Sequence, residues 1–263
     1  MPVSHLLLVF LSAVVAGAIN SVAGGGTLIT FPTLTEFIGL PSKVANATNT
    51  MALWPAALAG VWGFRKTHPP SRKLIASFVI TSALGGVTGA ALLRQTSESQ
   101  FKVIVPWLIL MAAVLFLFQG HIAKRLGLAD AHADATDAPQ RSGSTWALAL
   151  FFQFFVGVYG GYFGAGIGII MLATLSYMRV GDIYHMNFLK NFGALAVNCA
   201  AALLLGIWGL VNWPIAGIMC GGALLGGLCG SGIAKKIGAQ NLRTAISIVG
   251  MIIAGYMMYK QFR

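Results

Sequence analysis

Charge is nearly absent from two long stretches of this chain. Between Met1 and Phe64 only Glu36 and Lys43 are charged, and between Trp146 and Ala234 only Arg179, Asp182 and Lys190. Runs that supply about 20 apolar residues at a time read as membrane-spanning helices. Over the whole chain 57% of residues are hydrophobic and 9% charged, against about 25% charged in soluble domains. The chain is therefore expected to be an all-α, polytopic membrane protein. Its net charge of +11 does not call for nucleic acid, because the basic residues fall in short loops between apolar segments, where they set topology. The first apolar run, Leu6 to Ile19, lacks the basic start of a secretory signal and reads as a retained helix. Cys199, Cys220 and Cys229 lie in apolar stretches without metal or CxxC spacing and read as packing residues.

A second feature narrows the architecture. The glycine-broken stretch Ala16–Thr27 is echoed by Val156–Ile167, with Gly17, Gly24 and Gly26 meeting Gly157, Gly164 and Gly166 at an offset of 140. Each glycine inside a helix costs about 1 kcal/mol against alanine. Broken helices persist in lipid only where they line a buried or wet cavity. A duplicated break is the signature of a transporter built from two repeats, with its site where the breaks meet. The repeat runs further. Leu84–Gly89 matches Leu225–Gly230 at offset 141, and Gly60–Gly63 matches Gly206–Gly209 at offset 146. The larger offset predicts a third element about five residues longer in the second half.

A coarse pass predicts five hydrophobic elements per half, at about 5–23, 27–40, 46–64, 74–93 and 103–119, then 145–163, 167–178, 184–209, 213–234 and 242–260. This divides the chain into a first membrane repeat (1–120), a polar linker (121–144) and a second repeat (145–263). The elements 27–40 and 167–178 are short for a core of about 30 Å and read as half-helices, which leaves eight to ten spans. The basic loops 65–73, 121–144 and 235–243 are expected in the cytoplasm of a cell-membrane protein, and the uncharged Gly209–Trp213 turn outside. An odd number of elements per half then makes the halves inverted.

The candidate site follows from these breaks. A glycine break before a helix start presents backbone N–H groups at the positive end of the helix dipole, an arrangement that binds anions. Gly24, Gly25, Gly26 and Thr27 fit, with Asn20 and Ser21 beside them, and Gly164, Gly166 and Gly168 form the counterpart. The third elements open with polar clusters: Asn46, Asn49 and Thr50 share one helical face, as do Asn187, Lys190 and Asn191. Lys190 would complement an anion, or else snorkel to the interface. Gly85, Gly86, Gly226 and Gly227 are expected to serve close helix packing. Glu36 reads as a half-helix end at the interface or a proton site, and Asp182 with His185 as a relay or a loop pair. No hydrolase, metalloprotease or P-loop motif is present, so neither an enzyme nor an ATP-driven pump is expected, and no cofactor or metal is implied.

At these residues the chain resembles the TauE/SafE family of sulfite-exporter-like permeases. The motifs are Asn20-Ser-Val-Ala-Gly-Gly-Gly-Thr-Leu-Ile-Thr-Phe-Pro32, Ala47-Thr-Asn-Thr-Met-Ala-Leu-Trp-Pro55, Gly157-Val-Tyr-Gly-Gly-Tyr-Phe-Gly-Ala-Gly-Ile-Gly168 and Met186-Asn-Phe-Leu-Lys-Asn191. The resemblance covers nearly the whole chain. It implies a multi-pass plasma-membrane protein that moves small anions such as sulfite or organosulfur compounds. The second motif departs from a triple glycine, so the two half-sites are not equivalent. The reading that results is a secondary transporter of a small anion. A passive anion channel or a non-transporting scaffold are the alternatives, and a homodimer and proton coupling are left open.

Overall fold

A computed structural model describes residues 2–22, 25–63, 71–125, 143–177, 183–237 and 239–262. The charged loop residues 64–70 and 126–142, Gly24 of the first break, and Asp182 lie outside them. Ten α-helices and one π-helical segment make up the described residues, with no strand among them. The first half holds α1 (Val3–Val22), α2 (Thr27–Pro32) with the π segment Thr33–Phe37, α3 (Ser42–Gly63), α4 (Arg72–Gln95) and α5 (Glu98–Arg125). The second holds α6 (Gly143–Tyr162), α7 (Ile167–Tyr177), α8 (Ile183–Ile207), α9 (Trp213–Ile237) and α10 (Ala239–Phe262). All ten sequence-predicted elements are present. The third element is longer in the second half, 25 residues against 22.

Four described helical stretches are long and apolar enough to cross a membrane: Val3–Asn20, Arg72–Gln95, Glu98–His121 and His185–Ile207. Shorter apolar stretches lie at Trp146–Tyr162, Ile167–Ser176 and Trp213–Leu228. The helices carry apolar side chains on both faces. On α1, Val9, Ala13, Ala16 and Ile19 are buried while Leu7, Leu8, Leu11 and Val15 face outward. An outer surface of this kind suits hydrocarbon, where exposed leucine carries no hydration cost.

Helix packing follows the glycines. α1 packs chiefly on α9, and α4 on α6, so each half lends its first helix to the other half's fourth. A Cβ at Gly17 would stand 2.1 Å from the Ala223 carbonyl oxygen, and one at Gly226 1.9 Å from that of Val14. On the other side, a Cβ at Gly85 would stand 2.4 Å from the Phe154 oxygen and one at Gly157 2.9 Å from that of Ser82. The two contact sets pair residue for residue at the sequence offsets of 140 and 141. The pairs α3–α8 and α5–α10 bring counterpart helices of the two halves into contact. Without side chains at these positions the backbones approach closely and gain dispersion contacts, the main source of helix association in lipid.

The helix ends are tied by side chains. Glu98 at the start of α5 accepts the backbone N–H groups of Ser42 and, at 3.1 Å, Lys43, capping α3. The Lys43 ammonium in turn donates to the carbonyls of Arg94 (3.0 Å) and Thr96 (2.6 Å), closing the end of α4. Each carries opposite charge to the helix end it meets, as the helix dipole favours. Arg94 stacks over Trp208, 4.8 Å from the ring centre, and the Asn212 N–H donates to the Thr48 hydroxyl at 2.9 Å.

Candidate functional site

At the first break the chain leaves α1 and re-enters a helix at Thr27. Asn20 reaches across the gap, its Oδ1 accepting the Gly26 N–H at 3.0 Å. One of the N–H groups expected to face a ligand is thus held by the chain itself. Gly26 has a right-handed helical conformation, with φ of −55°. Glycine is needed here for space: a Cβ at Gly25 would fall 2.1 Å from the Phe116 ring, and one at Gly26 2.6 Å from the Ala16 carbonyl. Ser21 belongs to α1, its side chain lying outside the described residues, as does Gly24 altogether.

The short α2 is buried along almost its whole length. Pro32 lacks an N–H and its ring collides with the carbonyl four residues back, so a regular helix cannot continue through it unchanged. The chain widens directly afterwards into the π segment, where the Ile38 N–H bonds to the Thr33 carbonyl at 3.2 Å. α7 has no proline and runs eleven residues as regular helix.

The second break is built differently. Gly164 and Gly166 have φ of 81° and 76°, left-handed conformations that L side chains rarely adopt. Successive turns end α6: the N–H groups of Phe163 and Gly164 both bond to the Tyr159 carbonyl, and the Tyr159 hydroxyl donates to the Ala165 carbonyl. α7 then starts at Ile167, with the Ile169 N–H on the Gly166 carbonyl at 3.0 Å. The two breaks thus differ in backbone conformation as well as in composition.

Helix α3 brings the two breaks together. Asn49 is buried; its Nδ2 donates to the Thr27 hydroxyl at 3.1 Å and its Oδ1 accepts from Thr30. The Thr30 hydroxyl also points at the Gly26 carbonyl, 3.1 Å away, and its one proton serves either acceptor. One turn earlier, Asn46 turns to the second break, its Nδ2 donating to the Tyr162 carbonyl at 2.9 Å. That carbonyl fixes the amide orientation and leaves Asn46 Oδ1, fully buried, without a protein donor. Thr50 bonds back to the Asn46 carbonyl at 2.9 Å. Two aromatic contacts join the same region. Phe31 of α2 meets Phe163 edge-on at 5.5 Å. The Phe116 ring of α5 lies against Gly25 on one side and within 3.7 Å of a Cβ position at Gly166 on the other.

The α8 cluster is less enclosed. Asn187, Lys190 and Asn191 are half-buried and each is engaged with other groups. The Lys190 stem runs beside the start of α7, 3.6 Å from a Cβ position at Gly168. Glu36 faces Lys260 near the end of α10, with a 3.0 Å ion pair. Glu36 thus stands in the π segment at the end of the half-helix, paired across to α10. Among the described residues no three His, Cys, Asp or Glu side chains gather as metal ligands. Sequence reasoning did not single out Phe116, Tyr159, Tyr162 or Thr30. The last three stand inside the quoted glycine motifs, whereas Phe116 sits in a uniformly apolar helix that carries no signal.

The profile of the family described as sulfite exporter TauE/SafE matches residues 9–257. A probable membrane transporter protein of Haemophilus influenzae is 28% identical, over 97% of this chain and 95% of its own length. The probable membrane transporter protein ORF9 of a Sinorhizobium species is 29% identical, over 95% and 91%. The probable membrane transporter protein YunE of Bacillus subtilis is 24% identical, over 98% of both chains. No solved structure matches. With its apolar helices, its paired glycine breaks and a match along nearly its full length, this multi-pass membrane protein belongs to the sulfite exporter TauE/SafE family.

Proposed function

We propose that the chain is a secondary transporter of a small anion, a sulfur oxyanion or organosulfonate, working by alternating access of two inverted halves. The observation that carries this reading is the attachment of both glycine breaks to one buried polar stripe on α3, through Asn46 and Asn49. Transporter sites of this kind form where discontinuous helices from two repeats meet near the midplane. The names of the family and of the relatives point to transport and not to enzymatic turnover. Four contacts support inversion. The start of α3 lies by the end of α4, whose Arg94 reaches Trp208 just past the end of α8. The end of α10 lies by Glu36 and the start of α5 by Ser42. Counterpart helices then run in opposite senses, with the basic loops on the cytoplasmic face.

Lys190, placed beside Gly168, favours negative cargo. The amide of Asn46 refines the choice. A buried acceptor without a donor costs about 1–3 kcal/mol, and a fully deprotonated oxyanion would bring it only further acceptors. An anion carrying its own proton, as hydrogen sulfite does, would satisfy it.

Purified protein in liposomes, assayed with labelled sulfite, thiosulfate and short sulfonates, with and without a proton gradient, tests the reading. Saturable flux with counterflow is expected for at least one of them. A conducting pore without saturation would favour a channel, and an absence of flux across the panel would remove the transport proposal. In an active system Asn46→Leu is expected to lose most of the flux.

A further inference from the structure

A second polar feature lies one turn above this cluster. A cleft of about 530 Å³ opens between the segment that leads from the π turn into α3, the start of α5 and the end of α10. Its walls include Thr35, Glu36, Ser42, Glu98, Lys102 and Lys260. Two carboxylates and two ammonium groups would suggest a neutral surface, but three of the four charges are already compensated. Glu36 and Lys260 neutralise each other at 3.0 Å. Both oxygens of Glu98 are held by the N–H groups that open α3, so its charge is matched to the positive end of that helix. This leaves Lys102, one turn along α5 from Glu98, exposed and with no ion pair among the described residues.

The cleft is also connected to the site. Ser42 in its wall is four residues before Asn46, hence on the same face of α3 and about 6 Å above it. Thr35 and Glu36 belong to the π segment that continues α2, the helix whose Thr27 and Thr30 bind Asn49. An occupant would therefore touch both the polar helix and the half-helix. The volume exceeds what a bare sulfonate group needs and leaves room for several waters at about 30 Å³ each.

We propose that this cleft is the anion-collecting vestibule of the transporter, in which the Lys102 ammonium draws a hydrated sulfonate- or sulfite-type anion to the head of α3. The proposal rests on the transport reading for its purpose, but not for its binding step. A positive charge in a recessed surface raises the local concentration of anions by about tenfold or more, and salt screens it. The cleft lies at the start of α3, whose other end leads to the basic loop, so its action is confined to the face opposite that loop.

Two measurements on the full-length protein test this. In sealed vesicles of known orientation, Lys102→Gln is expected to raise KM for the transported anion several-fold at low ionic strength when the anion is offered at the cleft face. It should leave kcat from the cleft face unchanged, so that the loss on that side is carried by KM. The difference should fade in high salt, and Lys102→Arg should restore it. Separately, calorimetric titration of the detergent-solubilised protein with methanesulfonate or sulfite should show weaker binding in Lys102→Gln. Binding that depends on Lys102 in a protein without flux keeps the vestibule and sinks the transport reading. Flux whose KM from the cleft face ignores Lys102, or whose KM shift persists undiminished in high salt, overturns the vestibule, as does titration that detects no anion binding to the wild type.

Discussion

Gly166 separates two reasons for needing glycine. A Cβ there would meet only ordinary contacts, the nearest at 3.7 Å, so the demand comes from its φ of 76° alone. Gly166→Ala is expected to cost about 1–2 kcal/mol, seen as a lower melting temperature in detergent, with Gly166→Asn milder because asparagine tolerates the left-handed region. At Gly226 the reason is distance: the Val14 carbonyl leaves no room for a methyl group. Gly217 in the same helix has nothing within 4 Å. Gly226→Ala should therefore disrupt the α1–α9 contact, while Gly217→Ala should be neutral or slightly stabilising, as helix propensity favours alanine by about 1 kcal/mol. Equal melting temperatures for the two variants would contradict this account of the helix contact.

Among the elements, α2 with its π segment depends on one residue. Replacing Pro32 by alanine restores a donor and removes the ring, so the wide turn can close to a regular one. Losing one inserted residue rotates the remainder of the segment by about 100° and carries Glu36 away from Lys260. A Glu36→Cys/Lys260→Cys pair is expected to be bridged readily by a bifunctional thiol reagent about as long as the two lost side chains in the native background, and poorly with Pro32→Ala added. The ten elements were legible in the sequence because apolar runs, polar breaks and the glycine repeat all mark their ends. The conformation inside the breaks was not. Gly26 and Gly166 occupy equivalent places in the repeat, yet one is right-handed and the other left-handed, set by Asn20 in one case and by the Tyr159 turns in the other. Nothing in the spacing of glycines distinguishes these outcomes.

At the scale of the whole molecule, the packing of α1 on α9 and of α4 on α6 means that neither half is a separate body: each contributes its first helix to the other. The halves also meet through α5 and α10, where a Cβ at Gly250 would lie 3.0 Å from that of Ala113, near the separation of about 3.8 Å in disulfides, with the Leu28 methyl groups next at 3.7 and 3.8 Å. In a background with the native cysteines replaced, Ala113→Cys with Gly250→Cys should form a crosslink in membranes under mild oxidation, and failure to do so would contradict this packing of the halves. The meeting of the breaks was partly legible: Asn46 and Asn49 stood out as polar residues on one face of an apolar helix. Their division of labour did not, because three residues of separation cannot reveal that one side chain turns to the second half and the other to the first. Phe116 was silent for the opposite reason, one large apolar residue among many.

The unlike construction of the two breaks has a kinetic consequence. A transporter with identical halves would spend equal time facing each side of the membrane. Here one half carries a short, proline-interrupted α2 and the other a continuous α7 entered through two left-handed glycines. Under the alternating access proposed above, the two end states would then differ in energy, and a gap of about 1.4 kcal/mol already leaves ten molecules facing one way for each facing the other. The resting protein would wait with its door to one compartment, and the same cargo would show different apparent affinities from the two sides without any change in the groups that hold it.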